Sequence, residues 1–341
     1  MKNLCLHSAA STLILAILAC GAPAELPTVG IPRFVYVSPD PLGINPFLIM
    51  GQTGIEKAAA KHGAEAVVLE SEDPTTRAEN VRAAVDEGAT LLVVLGFEFN
   101  DIISEVAAEN PGVEFVIVDQ CIEDAPDNVR CAVFREFEAS FLIGAIAASL
   151  TETGHVGVVG TSDIPFLHRY TEGFEAGARH VQDDIRVSVR WVGGENPFAD
   201  PVRAKEQALD LAANGADHIF AASAAGNLGI FEAAKQQGFR AYGLDVDQCP
   251  AAPGFIVDNL IKRVDLVIEQ VADDILAGTD EPMMVFGLGS GGLYLNALSD
   301  NLDTTSECLI YEYPEVMERM RGVADLIIAG EIGIEDPMGL I

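Results

Sequence analysis

The stretch Leu91-Leu92-Val93-Val94-Leu95 is a strand-length run in which every residue is apolar. A strand that is apolar on both faces is buried on both sides, which is typical of a parallel sheet covered by helices. Outward from this run, similar β-rich runs alternate with Ala-rich helical stretches. The pattern predicts an α/β protein with strands at 34–37, 66–69, 91–95, 114–118, 128–134, 155–159, 187–192, 218–221 and 240–244.

The approach to this strand occurs a second time in the chain. Segment 77–95 begins Arg-Ala-Glu-Asn, passes Gly-Ala-Thr and enters the strand, and segment 203–221 begins Arg-Ala-Lys-Glu, passes Gly-Ala-Asp and enters another, about 127 residues later. Each unit continues to a strand that ends in Asp-Gln, at 119–120 and 247–248. We therefore predict two similar doubly wound lobes. The carboxyl ends of their strands should face a shared cleft, where small-molecule sites are favoured.

The composition excludes two classes of partner. The chain has 341 residues, with 52 acidic against 20 basic side chains and a net charge of −32. Such a surface repels a phosphate backbone and an anionic lipid surface alike, so we expect no nucleic-acid binding. With 49% hydrophobic residues, the chain has enough apolar material for two cores.

The N-terminal residues are typical of an export signal. Lys2 precedes a largely apolar run, 9–19, which is too short to span a bilayer. Residues 17–21, Ile-Leu-Ala-Cys-Gly, resemble a bacterial lipobox in which Cys20 becomes the lipid-carrying first residue. We expect a signal peptide at 1–19, a tether at 20–32 and anchorage to the cell membrane facing the periplasm or exterior. The alternatives are ordinary cleavage after Ala24 and an uncleaved segment.

Four cysteines remain beyond the signal, in a compartment that permits disulfides. Cys121 closes one predicted strand and Cys131 lies in the next, which favours a bond between them. Cys249 and Cys308 then pair by elimination, and the alternative is buried free thiols. The cysteine and histidine spacing predicts no metal site.

The loops after the first and third strands carry candidate ligand contacts. Asn45 is a good N-cap and Pro46 a good first helical residue, so a helix begins there, beside an acceptor at Asp40 and a flat apolar face at Phe47. The alternative role for Asp40 is to order the turn. Phe97 and Phe99 follow the third strand. At least one of them could instead belong to the core.

Strand-end carboxylates form a second set of candidates. Asp119, Asp245 and Asp247 stand at paired positions in the two lobes, where they can accept hydrogen bonds from ligand hydroxyl or ring N–H groups. The alternative is helix capping or a hinge contact. With Phe198 and Phe220 near strand ends of the second lobe, the set suits a planar hydroxylated ligand rather than a phosphate.

Three further segments bear on the site. Asn259-Leu260-Ile261-Lys262-Arg263 is expected to open a long helix, with Lys262 as a ligand contact or a surface charge. Gly226, where another helix starts, offers a backbone N–H or merely a tight turn. Segment 287–292, Gly-Leu-Gly-Ser-Gly-Gly, lacks the βαβ setting of a dinucleotide loop and is interpreted as a turn.

Five stretches resemble the basic membrane protein family, which comprises substrate-binding lipoproteins of ABC importers, including purine nucleoside receptors. Segment 134–144 is similar to the family run F-x-E-x-E-x-S-F-L-x-G, and 157–177 to the segment that follows it. Segment 245–248 is similar to the GVDxDQ motif, 262–265 to SxxKRVD and 330–334 to the family's ending.

The resemblance implies a type I periplasmic-binding fold with a hinged cleft, served by a membrane permease and an ATPase. It implies an N-terminal lobe at 33–134 with part of about 250–280, and a C-terminal lobe at 135–247 with part of about 281–335. By analogy, Asp40 would bind the base edge of a nucleoside, and Asp245 and Lys262 its ribose. The implied aromatic clamp is Phe47 or Phe99 on one side and Phe220 or Phe198 on the other.

The expected function is a monomeric solute-binding protein with no cofactor. The alternatives are a riboflavin-type ligand in the same cleft and a ligand sensor that partners a membrane receptor. An enzyme is disfavoured because the chain contains no GxSxG, HExxH or Walker loop and no acid cluster suited to a nucleoside hydrolase.

Overall fold

The computed structural model of the chain describes residues 31–299 and 306–341. The expected signal peptide, Cys20 and nearly all of the expected tether lie outside these residues. Residues 32–341 form one compact unit, within which the chain builds two sheets. Within the described ranges, no helix combines the length and the apolar character needed to cross a bilayer.

The strands are β1 (Arg33–Ser38), β2 (Glu65–Glu70), β3 (Leu91–Leu95), β4 (Glu114–Val118), β5 (Val129–Phe134), β6 (His155–Gly160), β7 (Arg186–Trp191), β8 (His218–Ala222), β9 (Arg240–Asp245), β10 (Ile256–Lys262), β11 (Met283–Phe286) and β12 (Leu293–Leu295). The helices are α1 (Pro46–His62), α2 (Pro74–Asp86), α3 (Asn100–Glu109), α4 (Glu136–Leu150), α5 (Pro165–Val181), α6 (Pro201–Ala213), α7 (Asn227–Gln237), α8 (Val264–Leu276) and α9 (Pro314–Ile328).

The two sheets have the same plan. One has the order β2-β1-β3-β4-β5-β11 and the other the order β7-β6-β8-β9-β10-β12. Paired strands run parallel except β10 and β12. The middle strands are buried along their whole length, and the predicted two-lobed α/β fold is confirmed. Since the repeated units become α2-β3 and α6-β8, the sequence repeat and the structural repeat coincide.

The expected helix opening at 259–263 is wrong. These residues end β10, and α8 begins only at Val264. The strand is buried although it contains Asp258 and Asn259, because the Asp258 carboxylate accepts hydrogen bonds from the N–H groups of Asn259, Asn296 and Ala297. Polar residues with such internal partners make a buried strand look amphipathic in sequence.

The chain crosses between the sheets late in the sequence. β10 stays in the second sheet, α8 packs on α1 beside the first, β11 joins the first sheet and β12 returns to the second. The turn expected at 287–292 lies between β11 and β12.

Helices α4 and α5 pack unusually closely. A Cβ on Gly177 would lie 1.8 Å from the carbonyl oxygen of Phe141, and one on Gly144 would lie 2.0 Å from that of Phe174. Only glycine permits this approach. The packing places the first turn of α4 beside the middle of α5, where a Cβ on Gly173 would lie 2.7 Å from the carbonyl oxygen of Phe137. The preceding turns of α5 carry side chains of the cleft.

The structure joins the cysteines in the two pairs expected from sequence. Cys121 and Cys131 are bonded with their Cα atoms 5.0 Å apart, and Cys249 and Cys308 with theirs 5.1 Å apart. The second bond ties the loop after β9 to the segment before α9. Asp247 accepts a hydrogen bond from the N–H of Cys249 and so orders that loop.

Candidate ligand-binding cleft

A cleft lies between the carboxyl ends of the two sets of strands. Segments after β1, β3 and β4 supply one wall, and segments at the ends of β6, β7, β8, β9 and β10 supply the other. Of the residues expected from sequence, the structure brings eight together in its lining: Asp40, Asn45, Phe47, Phe97, Asp119, Phe198, Asp245 and Lys262.

Three expected contacts lie elsewhere. Phe99 is fully buried in the core beneath α3, as the alternative interpretation allowed. Phe220 points into the second core, where its ring stacks on Phe174 with centroids 6.0 Å apart. A Cβ on Gly226 would face Ser223 and Ala204 rather than the cleft, so Gly226 serves the tight turn before α7.

The start of α1 follows the sequence expectation. The side chain of Asn45 accepts a hydrogen bond from the N–H of Phe47 at 3.1 Å, and Pro46 occupies the first helical position. This cap directs the Phe47 ring towards the cleft. Beside it, Asp40 receives a hydrogen bond from Arg77 at 3.2 Å, and Arg77 also binds the carbonyl of Pro39. The loop is thereby fixed with Asp40 in the lining.

Two carboxylates stand at matching strand ends in left-handed backbone. Asp119 follows β4 with φ of 72°, and Asp245 ends β9 with φ of 73°. This conformation costs a non-glycine residue about 1–3 kcal/mol and is concentrated at functional sites. Both side chains are buried and both line the cleft.

Lys262 is the centre of a buried charge cluster. Its Nζ donates to both oxygens of Asp119 at 2.6 and 2.7 Å, to Glu136 at 3.0 Å and to the hydroxyl of Tyr170 at 3.2 Å. Burial alone would lower the pKa of Lys262, but Asp119, Tyr170 and Glu136 raise it well above its ordinary value. The lysine is therefore a permanent cation, and the Asp119 contact joins the two walls of the cleft.

Asp245 is an acceptor without a donor. It is 3% exposed, and no described group donates a hydrogen bond to its carboxylate. Burial raises the pKa of Asp245 to about 7, which Lys262 opposes and Asp119 and Glu136 reinforce. A buried acceptor with no partner at a cleft wall is suited to a ligand that brings hydroxyl or N–H donors.

The cleft has aromatic faces at two depths. Near its base, the rings of Phe47 and Phe166 lie with centroids 5.2 and 5.7 Å from the Nζ of Lys262. At the mouth, Phe97 from one lobe and Phe198 from the other lie with centroids 6.3 Å apart. Each pair takes one ring from each lobe, so both pairs depend on the lobes being together.

The lining also contains residues that the sequence does not predict, among them Glu98, Thr161, Phe166 and Tyr170. Burial raises the pKa of the Glu98 carboxyl. The hydroxyl of Thr161, which is 1% exposed, has no hydrogen-bond partner among the described residues. A signal for Phe166 exists, because Pro165-Phe166 opens α5 after β6 as Pro46-Phe47 opens α1 after β1.

The cleft is acidic. Asp40, Glu98, Asp119 and Asp245 line it, and among the described lining residues Lys262 is the one basic side chain. Its Nζ is already bonded to carboxylates, so little positive charge is left for an anionic ligand. The arrangement favours a neutral ligand with several hydrogen-bond donors.

Comparisons with known proteins agree with this geometry. Residues 31–320 match the family described as ABC transporter substrate-binding protein PnrA-like. The chain is 29% identical over 251 residues to basic membrane protein A2 of Borrelia garinii subsp. bavariensis, which covers 72% of this chain and 73% of that protein. It is 28% identical over 269 residues to the ABC transporter nucleoside-binding protein BmpA of Lactococcus lactis subsp. cremoris, covering 72% and 76% respectively.

Solved structures show the same fold. An ABC transporter solute-binding protein from Aeropyrum pernix K1 aligns over 90% of this chain and 94% of its own, with a TM-score of 0.77 and 22% identity. Another from Conexibacter woesei aligns over 90% and 99%, with a TM-score of 0.69 and 21% identity. At these identities the structural likeness establishes the architecture alone.

Proposed function

Because the chain belongs to the Bmp family of ABC transporter substrate-binding proteins, we propose that its cleft captures a purine nucleoside for import. A member of this family is a binding protein rather than an enzyme. It acts outside the cytoplasmic membrane and delivers a small molecule to a permease and its ATPase. The choice of a purine nucleoside as the ligand rests on the residues of the cleft.

The observation that carries the proposal is the unpartnered carboxylate of Asp245 beside the bonded ammonium of Lys262. Neighbouring ribose hydroxyls can donate to the Asp245 carboxylate, and one of them can replace the Tyr170 hydroxyl, which lies 3.2 Å from Nζ, as an acceptor from Lys262. Asp40, at the other end of the lining, would accept from a ring N–H on the base edge. Thr161 offers a further hydroxyl without a partner of its own.

Aromatic faces support the purine half of the ligand. Phe47 and Phe198, the two members of the expected clamp that line the cleft, come from opposite lobes. A planar base between such rings gains apolar burial and stacking without requiring charge. Phe166, at the same depth as Phe47, adds a third aromatic face.

The charge of the cleft favours a nucleoside over a nucleotide. A phosphate would enter beside four carboxyl groups and find the one lining lysine bound to Asp119 and Glu136. Phosphate sites in proteins commonly rely on free basic groups. Inosine should therefore bind and inosine 5′-monophosphate should not.

The remaining expectations are carried forward as proposals. We propose that Cys20 carries the lipid anchor and that the chain acts as a monomer. Mass spectrometry of protein extracted from membranes would detect the lipid mass on the peptide that begins at Cys20, and a Cys20→Ala variant, which cannot carry it, is the control.

The test of the nucleoside proposal is a thermal-shift and calorimetric panel on protein freed of co-purified ligand by unfolding and refolding. The panel contains inosine, guanosine, adenosine, hypoxanthine, inosine 5′-monophosphate and riboflavin. A ligand at 100 times its Kd adds about 2.7 kcal/mol of stability. Stabilisation by nucleosides and not by hypoxanthine or the monophosphate supports the proposal. Stabilisation by riboflavin alone, or by nothing in the panel, contradicts it.

A further inference from the structure

Buried charged side chains form a continuous series of ion pairs, the ion chain, which begins in the cleft at Asp119 and Lys262. Lys262 donates to one oxygen of Glu136 at 3.0 Å, and Arg169 donates to the other oxygen at 3.3 Å. Arg169 in turn binds both oxygens of Asp336, at 2.7 and 2.8 Å. The chain therefore runs from Asp119, in the cleft, to Asp336 in the segment that follows α9.

Every charge in this chain is out of solvent. The side chains of Lys262, Glu136, Arg169 and Asp336 are 0–1% exposed, and that of Asp119 is 8% exposed. Negative and positive groups alternate along it. Removing one member leaves a neighbouring charge buried without its partner, so that neighbour must move or be hydrated.

Asp336 fixes the far end of the chain. Its carboxylate accepts the planar fork of Arg169 and also the N–H groups of Met338, Leu340 and Ile341 at 2.9–3.1 Å. Burial would raise the pKa of Asp336, but the hydrogen bonds from Arg169 and Met338 bring it down to about 2. The group is thus a fixed anion that orients the guanidinium at two points.

At the cleft end of the ion chain, every N–H donor of Lys262 is engaged when no ligand is bound. The ammonium of Lys262 has three N–H donors, and the groups around it are Asp119, Glu136 and Tyr170. Tyr170 is the neighbour of Arg169 on α5. A change in the position of Arg169 would therefore reach Lys262 by two routes, through Glu136 and through the helix.

We propose that Asp336 is a positioning residue for the ligand site, acting through Arg169 and Glu136 to hold Lys262 in place. The segment at 329–341 then belongs to the binding machinery as well as to the fold. The inference rests on the proposed function in one respect, namely that Lys262 contacts the ligand. Asp336 itself does not line the cleft.

A double-mutant cycle tests the proposal with inosine as the probe. Asp336→Asn should weaken inosine binding roughly fivefold or more, within the range measured for coupled residues of one network. In a Lys262→Gln background, the same change should have no further effect on affinity while still lowering the Tm. Asp217→Asn is the matched control. The Asp217 carboxylate caps residues 151–153, and none of its described hydrogen bonds involves a member of the ion chain. It should lower the Tm and leave affinity unchanged.

Undiminished affinity in Asp336→Asn, or an equal loss of affinity in both backgrounds, overturns the proposal. If Asp336→Asn does not fold, Arg169→Lys, which keeps the charge but loses the fork, replaces it with the same expectation.

A readout without ligand separates this inference from the nucleoside proposal. The ammonium signal of Lys262 in nitrogen-15 lysine NMR is identified by its loss in Lys262→Gln. It should shift in Asp336→Asn and stay in place in Asp217→Asn, whether or not the protein binds inosine. An unshifted signal in Asp336→Asn contradicts the positioning role, while absent inosine binding by the unmodified protein contradicts only the choice of ligand.

Discussion

Replacing Asp245 by asparagine should stabilise the ligand-free protein, and by more at high pH than at low pH. The substitution keeps the shape of the side chain and removes its charge. In the folded protein the pKa of Asp245 is raised from 3.8 to about 7, chiefly by burial. The folded state therefore prefers the protonated acid, and each increase in pH between those two values penalises folding of the unmodified protein.

The magnitude follows from the size of this shift. A change from 3.8 to about 7 corresponds to at most about 4 kcal/mol, since one pKa unit is worth about 1.4 kcal/mol. Near pH 4 almost none of this penalty is present, and above pH 7 all of it is. The stabilisation by Asp245→Asn should therefore grow by about 2–4 kcal/mol between pH 4 and pH 8.

Urea unfolding of both proteins at fixed ionic strength, from pH 4 to pH 8, measures this difference. The pKa of Asp258 is also raised to about 7 by burial, so both proteins lose stability as that group ionises, and its effect cancels in the comparison. If the difference in unfolding free energy between the two proteins stays constant from pH 4 to pH 8, the pKa of Asp245 is not raised by burial. Asp245 would then be solvated or already paired in the empty cleft.

Two other outcomes follow from the fold and the cleft. Removing the Cys249–Cys308 bond by paired alanine substitutions should lower the free energy of unfolding by about 1.5 kcal/mol more than removing the Cys121–Cys131 bond. The reason is that the first bond closes a loop of 59 residues and the second a loop of 10. Urea unfolding of the two variants measures the difference, and equal losses would contradict this expectation. Phe166→Ala should weaken nucleoside binding about tenfold, whereas Phe220→Leu should lower the Tm and leave affinity unchanged. Calorimetry and thermal unfolding of both variants would contradict the site if these effects were exchanged.

The sequence was informative where one physical pattern dominated. Apolar strands such as Leu91–Leu95 predict the two lobes, and the acidic strand ends predict Asp119 and Asp245. The Asp-Gln repeat pairs Asp119 with Asp247, whereas in the structure the strand end that matches Asp119 is Asp245. The strand Ile256–Lys262 was missed because its polar residues are satisfied by backbone groups distant in sequence. No local pattern reports such partners.

Side-chain direction accounts for the other differences. Phe220 lies within a strand, so the alternation of the strand decides which side it faces, and that side is the helix layer. The repeat at about 127 residues does not point to Phe166, because Pro46-Phe47 and Pro165-Phe166 are separated by a shorter interval. The ion chain to Asp336 joins residues far apart in sequence and has no sequence signature.

A calorimetric comparison of inosine with 2′,3′-dideoxyinosine tests whether Asp245 and Lys262 bind the ribose hydroxyls. The two ligands share a base and differ in the hydroxyl groups assigned to Asp245 and Lys262. The dideoxy ligand should bind at least about tenfold more weakly, because a buried acceptor left unpaired costs about 1–3 kcal/mol. Asp245→Asn should reduce this difference. Equal affinity for the two ligands in the unmodified protein would contradict this assignment.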